Sequence, residues 1–314
     1  MDFFRVHGGR LAEARRRFPR AAEPWIDLST GIKLATGLGL MLAALAVATA
    51  AVSAPAPRRI VSLNPCLDGI LIAVADPGQI AALSHYSRDR RQSAIADVAS
   101  RYPFTWGSAE EVAAMKPDLV LRSSMGGRAL TAVLPRLGIR QESFGVPDSV
   151  EENLAQIERI ARLVGHPERG RALEARIRAA LQAAAPRPGE PRLEALIYEY
   201  HGLASGSGTL VDELMRRTGF DNLAPRYGLT QTVDVPLERL LASPPQVLLS
   251  GRLAPDEPAW ADRVLSHPAL VALKRRIKVE TFPETLMFCG GPTLIPEVQA
   301  LARARENALA GVSQ

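Results

Sequence analysis

The sequence predicts an α/β protein built as two Rossmann-like α/β lobes joined by one long helix, with a cleft between the lobes. Three observations carry the prediction. From Arg58 onward, short apolar runs alternate with amphipathic stretches, the pattern of parallel strands covered by helices. Between Asp148 and Ala184 that rhythm gives way to long helical patterns. After the Pro/Gly-rich break "PRPGEPR" it restarts with a similar order of elements.

In chain order, "RRIVSLNP" reads as a strand running into a turn. Asn64-Pro65 stops the strand and opens a helix over "CLDGILIAVA". "QIAALS" is a second strand. In "SAEEVAAMKPDLVLRSS", Ser108 with Glu111 three residues on forms a capping box, Val112 and Met115 share a helical face, and Lys116-Pro117 ends the helix before the strand "DLVLRS". "TAVLPRLGI" and "RQESFGV" repeat helix then strand. In the central region Leu154, Ile157, Ile160, Ala161 and Val164 recur at helical spacing. Beyond it, "LEALIYEY" is a strand, "GTLVDELMRRTG" a helix closed by Gly219, and "VPLERLLASPPQVLLSG" echoes the earlier helix-strand unit. The expected boundaries are 58–147 for the N-terminal lobe, 148–185 for the helical region with its linker helix, and 192–310 for the C-terminal lobe.

Composition excludes several classes. The chain of 314 residues is 47% hydrophobic and 23% charged, a globular balance long enough for two cores. Its net charge of +5 is concentrated at the start: residues 1–33 carry seven Arg/Lys against four acids, leaving 31 against 29 in the remainder. A body this close to neutral has no basic footprint for nucleic acid. Two cysteines make neither a disulfide scaffold nor a CxxC metal site. No GxSxG, HExxH, Walker loop or paired His/Asp constellation is present, so no enzyme chemistry is expected.

Leu34 to Ala51 is an apolar run preceded by Lys33 and followed by "AVSAPAP". Residues 33–54 therefore read as a secretory signal cut after Ala54, with an uncleaved membrane anchor as the alternative. Either places the body outside the cytoplasm. The leader, residues 1–32, contains "HGGRLAEARRRFPRAAEPWIDLSTGI", and residues 7–32 resemble the opening of the PLP-dependent threonine-phosphate decarboxylases of cobalamin biosynthesis. Nothing after Ile32 continues that likeness, and none of the four lysines (Lys33, Lys116, Lys274, Lys278) sits in a setting suited to a Schiff base. The leader is expected to be non-functional, its value being a hint of a vitamin B12 context.

Six blocks, in order, carry a further resemblance: "RRIVSLNPCLDGILIAV", "SAEEVAAMKPDLVL", "DSVEENLAQIERIARLVG", "GSGTLVDELMRRTGFDNLA", "VPLERLLASPPQVLLSG" and "GGPTLIPEVQALA". Together they resemble the periplasmic substrate-binding proteins of ABC importers for cobalamin, haem and ferric siderophores. The resemblance implies a monomeric receptor that captures a metal chelate between its lobes and delivers it to a membrane permease and its ATPase. It implies no resident cofactor. A corrinoid is favoured, with ferric siderophore or haem next; the alternative functions are a membrane-tethered sensor using the same cleft and a PLP-dependent enzyme.

In open α/β sheets the ligand crevice lies at the carboxyl ends of the strands. The expected cleft residues are Asn64, Pro65 and Cys66, His85-Tyr86, Phe104 to Trp106, Phe144, Tyr200-His201, Tyr227, and Phe288 to Gly291 including Gly290. Aromatic walls suit a large planar macrocycle. His85 or His201 is a possible axial metal ligand, and Tyr86 or Tyr200 a possible ligand to haem iron. Cys66 and Cys289 fall one on each lobe; two buried free thiols are expected, with a disulfide across the cleft as the alternative. Glu110 and Glu111 read as helix-start carboxylates. The resemblance also implies one surface glutamate per lobe for permease docking: Asp256 or Glu257 in the second lobe, while the first has Arg128 where an acid is expected.

Overall fold

The computed structural model describes residues 55–125, 127–199, 202–235, 237–251 and 276–310. The chain divides into Met1–Ala54 and Pro55–Gln314, and the described residues belong to the second unit. The leader, the apolar segment 33–54, Tyr200, His201, Asp256 and Glu257 lie outside the described residues.

Five parallel strands form the first sheet in the order β3-β2-β1-β4-β5: β1 Ile60–Ser62, β2 Ile80–Ser84, β3 Phe104–Thr105, β4 Leu119–Ser123 and β5 Gln141–Phe144. A second sheet has the order β11-β10-β6-β8, again parallel: β6 Leu193–Ile197, β8 Phe220–Asn222, β10 Val247–Ser250 and β11 Lys278–Thr281. The strands β7 Leu203–Ser205 and β9 Thr232–Asp234 pair antiparallel beside it.

Period-two alternation explains how each sheet is covered on both faces. Ile60, Leu119 and Leu121 point into a central cluster, while Val61 and Val120 face the opposite side with Ala82, Val112 and Leu134. In the second sheet Ala195, Ile197, Val247 and Leu249 join the same central cluster. Leu196, Tyr198 and Leu248 face outward onto Leu223, Tyr227 and Ile277. One apolar core thus runs from lobe to lobe, while the two sheets remain separate.

Several of the helices begin where short polar side chains satisfy free amides. Helix α1, Pro65–Val74, is capped by Asn64, whose Oδ1 accepts from the amides of Cys66 (2.9 Å) and Leu67 (3.3 Å), with proline in the first turn. The short α2 spans Ala96–Ala99 and α3 spans Ala109–Ala114. After α4, Arg128–Val133, Ser149 caps α5, Val150–Leu163. The buried face of α5 carries Leu154, Ile157, Ile160 and Ala161, the set read from periodicity. Gly165 in the left-handed region (φ 89°) and Pro167 separate it from α6, Pro167–Ala184.

Helix α6 packs on α5, on α1 of the first lobe, and on α9, Leu294–Ala310, of the second. Its start is held to the first lobe by Arg169, which donates to Asp76 (2.7 Å). Along its length Arg178 makes a two-pronged contact with Glu151. The remaining helices are α7, Leu210–Arg217, capped by Thr209, and α8, Leu237–Ala242. Among the described residues no helix is long and apolar enough to cross a membrane.

Candidate ligand cleft

A cavity of about 390 Å³ opens at the carboxyl ends of the strands of both sheets. From the first lobe it is lined by Asn64 and Cys66 after β1, Ser123 at the end of β4, and the segment Phe144 to Asp148 after β5. The second lobe contributes Glu199 after β6, Ser205 on β7, Thr209 before α7, Gln231 and Thr232 at β9, and Met287 to Gly290. The volume lies within the usual range for small-molecule sites.

One link between the lobes and two between α5 and the second lobe fix this geometry. Cys66 and Cys289 form a disulfide, their Cα atoms 4.8 Å apart. This corrects the expectation of free thiols. Helix α1 packs on the 3-10 turn Gly291–Thr293, which brings together two residues separated by 223 positions. Asn153 on α5 accepts from the amide of Gly291 through Oδ1 (2.9 Å). Glu213 on α7 accepts from the amide of Val150 at the start of α5 (2.8 Å). A cleft held at three points is largely pre-formed.

Of the residues expected in the cleft, Cys66, Phe144, Phe288 and Gly290 line the cavity, as does Asn64. Gly290 is needed for its close approach to α5: a Cβ there would stand 2.1 Å from Asn153 Nδ2. Pro65 serves as the first residue of α1, outside the cavity wall. Tyr227 is not a cleft residue. It is buried in the outer cluster of the second lobe, and its hydroxyl donates to the Ser243 carbonyl (2.5 Å).

His85, Tyr86, Phe104 and Trp106 form a separate aromatic group after β2 and β3, at the same carboxyl edge as the cavity. The His85 ring lies 3.9 Å from Tyr86 and 4.3 Å from Trp106, and Phe104 meets Trp106 edge-on at 5.9 Å. Tyr86 is 51% and Trp106 67% exposed, an unusual outlay of aromatic surface for a free side-chain cluster. Among the described residues no three or more His, Cys, Asp or Glu gather as a metal site.

Two carboxylates hold these rings in place. Glu111, read from sequence as half of a capping box, accepts from the Thr105 hydroxyl (2.7 Å) and the Trp106 amide (2.8 Å). The Thr105 bond foremost holds its carboxyl below the usual range. The Ser108 half of the box is present, with Oγ accepting from the Glu111 amide. Asp68, fully buried on α1, accepts from the Ser84 amide (2.8 Å) and the Ser87 hydroxyl (2.6 Å). These bonds bracket His85 and Tyr86. Burial pushes the Asp68 carboxyl up to about 7, against the downward pull of its hydroxyl and amide donors.

Sequence reasoning missed the polar wall: Asn153, Gln156, Glu199, Gln231 and Glu297 all line the cavity. Glu199 stood beside the predicted Tyr200 and was legible by adjacency. Glu297 sits in the first turn of α9, and only the packing of that helix against the cleft reveals it.

The pattern described as periplasmic binding protein matches residues 60–276. The comparison with curated proteins finds no match. Among solved structures, the chain is similar to the periplasmic haem-binding protein BhuT in complex with two haems. That likeness has a TM-score of 0.66 and 22% identity, covering 81% of this chain and 100% of the other. It is similar to a periplasmic haem-binding protein from Pseudomonas aeruginosa (TM-score 0.64, 23% identity, 79% and 92% covered). It is also similar to the periplasmic vitamin B12-binding protein BtuF of Vibrio cholerae (TM-score 0.63, 17% identity, 81% and 98% covered). At these identities the likeness shows a shared fold. Through the pattern over residues 60–276, the chain belongs to the periplasmic binding protein family and is a binding protein, not an enzyme.

Proposed function

We propose that the protein is the solute-binding component of an ABC importer, capturing a metal chelate outside the inner membrane and handing it to a permease. A corrinoid is the favoured ligand, with ferric siderophore or haem next. The observation that carries this reading is the cavity shared by the carboxyl ends of two separate sheets and tied across by Cys66–Cys289. A pre-formed cleft beside a ring of exposed aromatics suits a rigid, bulky, partly planar ligand held without a large closing motion. Structures of similar fold include proteins described as binding haem and vitamin B12. The B12-like leader favours the corrinoid.

In this reading the segment 33–54 directs export, and the chain works as a monomer with no resident cofactor. Asp256 or Glu257 offers the acidic docking point of the second lobe to basic residues of the permease, fixing orientation by charge. Tyr200 and His201 add to the cleft wall, and His85 or His201 is available to an axial metal position. Isothermal titration of the full chain with cobinamide, cobalamin, haemin and a panel of ferric siderophores tests the reading. Dissociation constants in the micromolar range or below for at least one chelate are expected; silence across the panel refutes it.

A further inference from the structure

The described lining of the cavity contains three carboxyl groups, on Asp148, Glu199 and Glu297, and no lysine, arginine or histidine. Glu297 is 2% exposed, and its Oε1 has no hydrogen-bond partner. Glu199 keeps a single described side-chain partner, the Ser205 hydroxyl at 2.9 Å. An unpartnered buried acid in a binding wall costs stability. Burial holds the Glu297 carboxyl well above its ordinary value and raises Glu199 as well. Glu297 Oε1 lacks a hydrogen-bond donor, and neither acid has a basic side chain beside it in the described lining, so a ligand can bring both.

From these observations we infer that the cleft floor selects a chelate of net positive charge fringed by N–H donors, with Glu199 and Glu297 as the residues that set this preference. The inference rests on the reading of the chain as a chelate-binding protein and specifies which chelate. A macrocycle whose rim carries carboxylates would bury negative charge where no lysine, arginine or histidine of the described lining can pair with it, and is disfavoured. One whose rim carries primary amides offers donors to both acids and to the side-chain amides of Asn64, Gln156 and Gln231 in the same wall. Arg88 lies over the Phe104 ring (4.7 Å), at the aromatic end of the rim. A single anionic substituent there is compatible with the inference, whereas carboxylates seated on the floor are not.

Three probes and two variants test it by isothermal titration on the full chain. Diaquocobinamide is a cation with an amide fringe, cyanocobalamin carries the same fringe with a phosphate, and haemin carries two carboxylates. The wild type should bind diaquocobinamide roughly tenfold or more tighter than haemin, the scale of one charge-assisted hydrogen bond, with cyanocobalamin between them. Glu297→Gln and Glu199→Gln should each narrow the cobinamide-to-haemin ratio by roughly tenfold. Thermal melting confirms the fold of each variant; Glu199→Gln carries the test alone if Glu297→Gln fails to fold. Haemin binding as tightly as diaquocobinamide, or an unchanged ratio in the folded variants, overturns the inference while leaving the chelate-binding function intact. No binding of any probe overturns both, through the function on which the inference depends.

Discussion

Replacing Cys66 and Cys289 together by serine opens a covalent ring of 223 residues that ties the first lobe to the second. The chain-entropy relation for a loop of this length gives about 18 cal/mol/K, or about 5 kcal/mol at 25 °C, as the stabilisation lost. Measured losses for native disulfides fall mostly between about 2 and 5 kcal/mol, and the continuous core, the Asn153–Gly291 bond and the Glu213–Val150 bond remain to hold the lobes together. Equilibrium urea unfolding of the full chain, followed by circular dichroism, reads the effect. With a slope of about 3 kcal/mol/M, the midpoint of Cys66→Ser/Cys289→Ser should fall by about 1 M or more. Wild type under strong reductant should move to the same lower midpoint. Affinity for the ligand should weaken in parallel, since the bond lies in the cavity wall and pre-orders it. Coincident midpoints for oxidised, reduced and double-serine protein would refute the reasoning, because no loop would then have been closed.

Three further outcomes follow from single side chains. The folded-state pKa of Asp68 is raised from 3.8 to about 7, so its contribution to stability is whole below about pH 4 and is lost as pH rises through 7. The shift of about three units corresponds to a few kcal/mol, roughly 1.4 kcal/mol per unit. In Asp68→Asn this pH dependence should vanish, giving a flatter melting temperature between pH 5 and 8 than the wild type shows. Trp106→Ala should weaken macrocycle binding by ~1–2 kcal/mol, roughly tenfold, with little change in melting temperature because the ring is 67% exposed. Gly290→Ala should lower the melting temperature by an overpacking cost of about 1–3 kcal/mol, since its Cβ would meet Asn153 and disturb the Gly291 bond.

The parallel strands were legible because burial on both faces forces near-continuous apolar runs, as in "QIAALS", of which all but Gln79 is β2. Helix α5 was legible through the spacing of Leu154, Ile157 and Ile160. Residues placed by tertiary packing were not. Tyr227 looks like any loop aromatic until the second sheet buries it and gives its hydroxyl the Ser243 carbonyl. Cys66 and Cys289 read as separate thiols because nothing local signals that α1 and the turn at Gly291 are neighbours. Glu111 carries a familiar local motif, yet its carboxylate turns away to Thr105 and Trp106, a bond partner that spacing does not distinguish. Antiparallel β7 and β9 stand 29 residues apart from Leu203 to Thr232, without a tight turn to announce their pairing.

Both lobes should grip one chelate at once, and a crystal structure of the complex with the tightest-binding probe decides the matter. The macrocycle is expected between Phe144–Val146 of the first lobe and Met287–Gly290 of the second, with Glu199 and Glu297 facing its fringe. A ligand found on the outer face of a single lobe, with the cavity beside Cys66–Cys289 filled only by water, would contradict it.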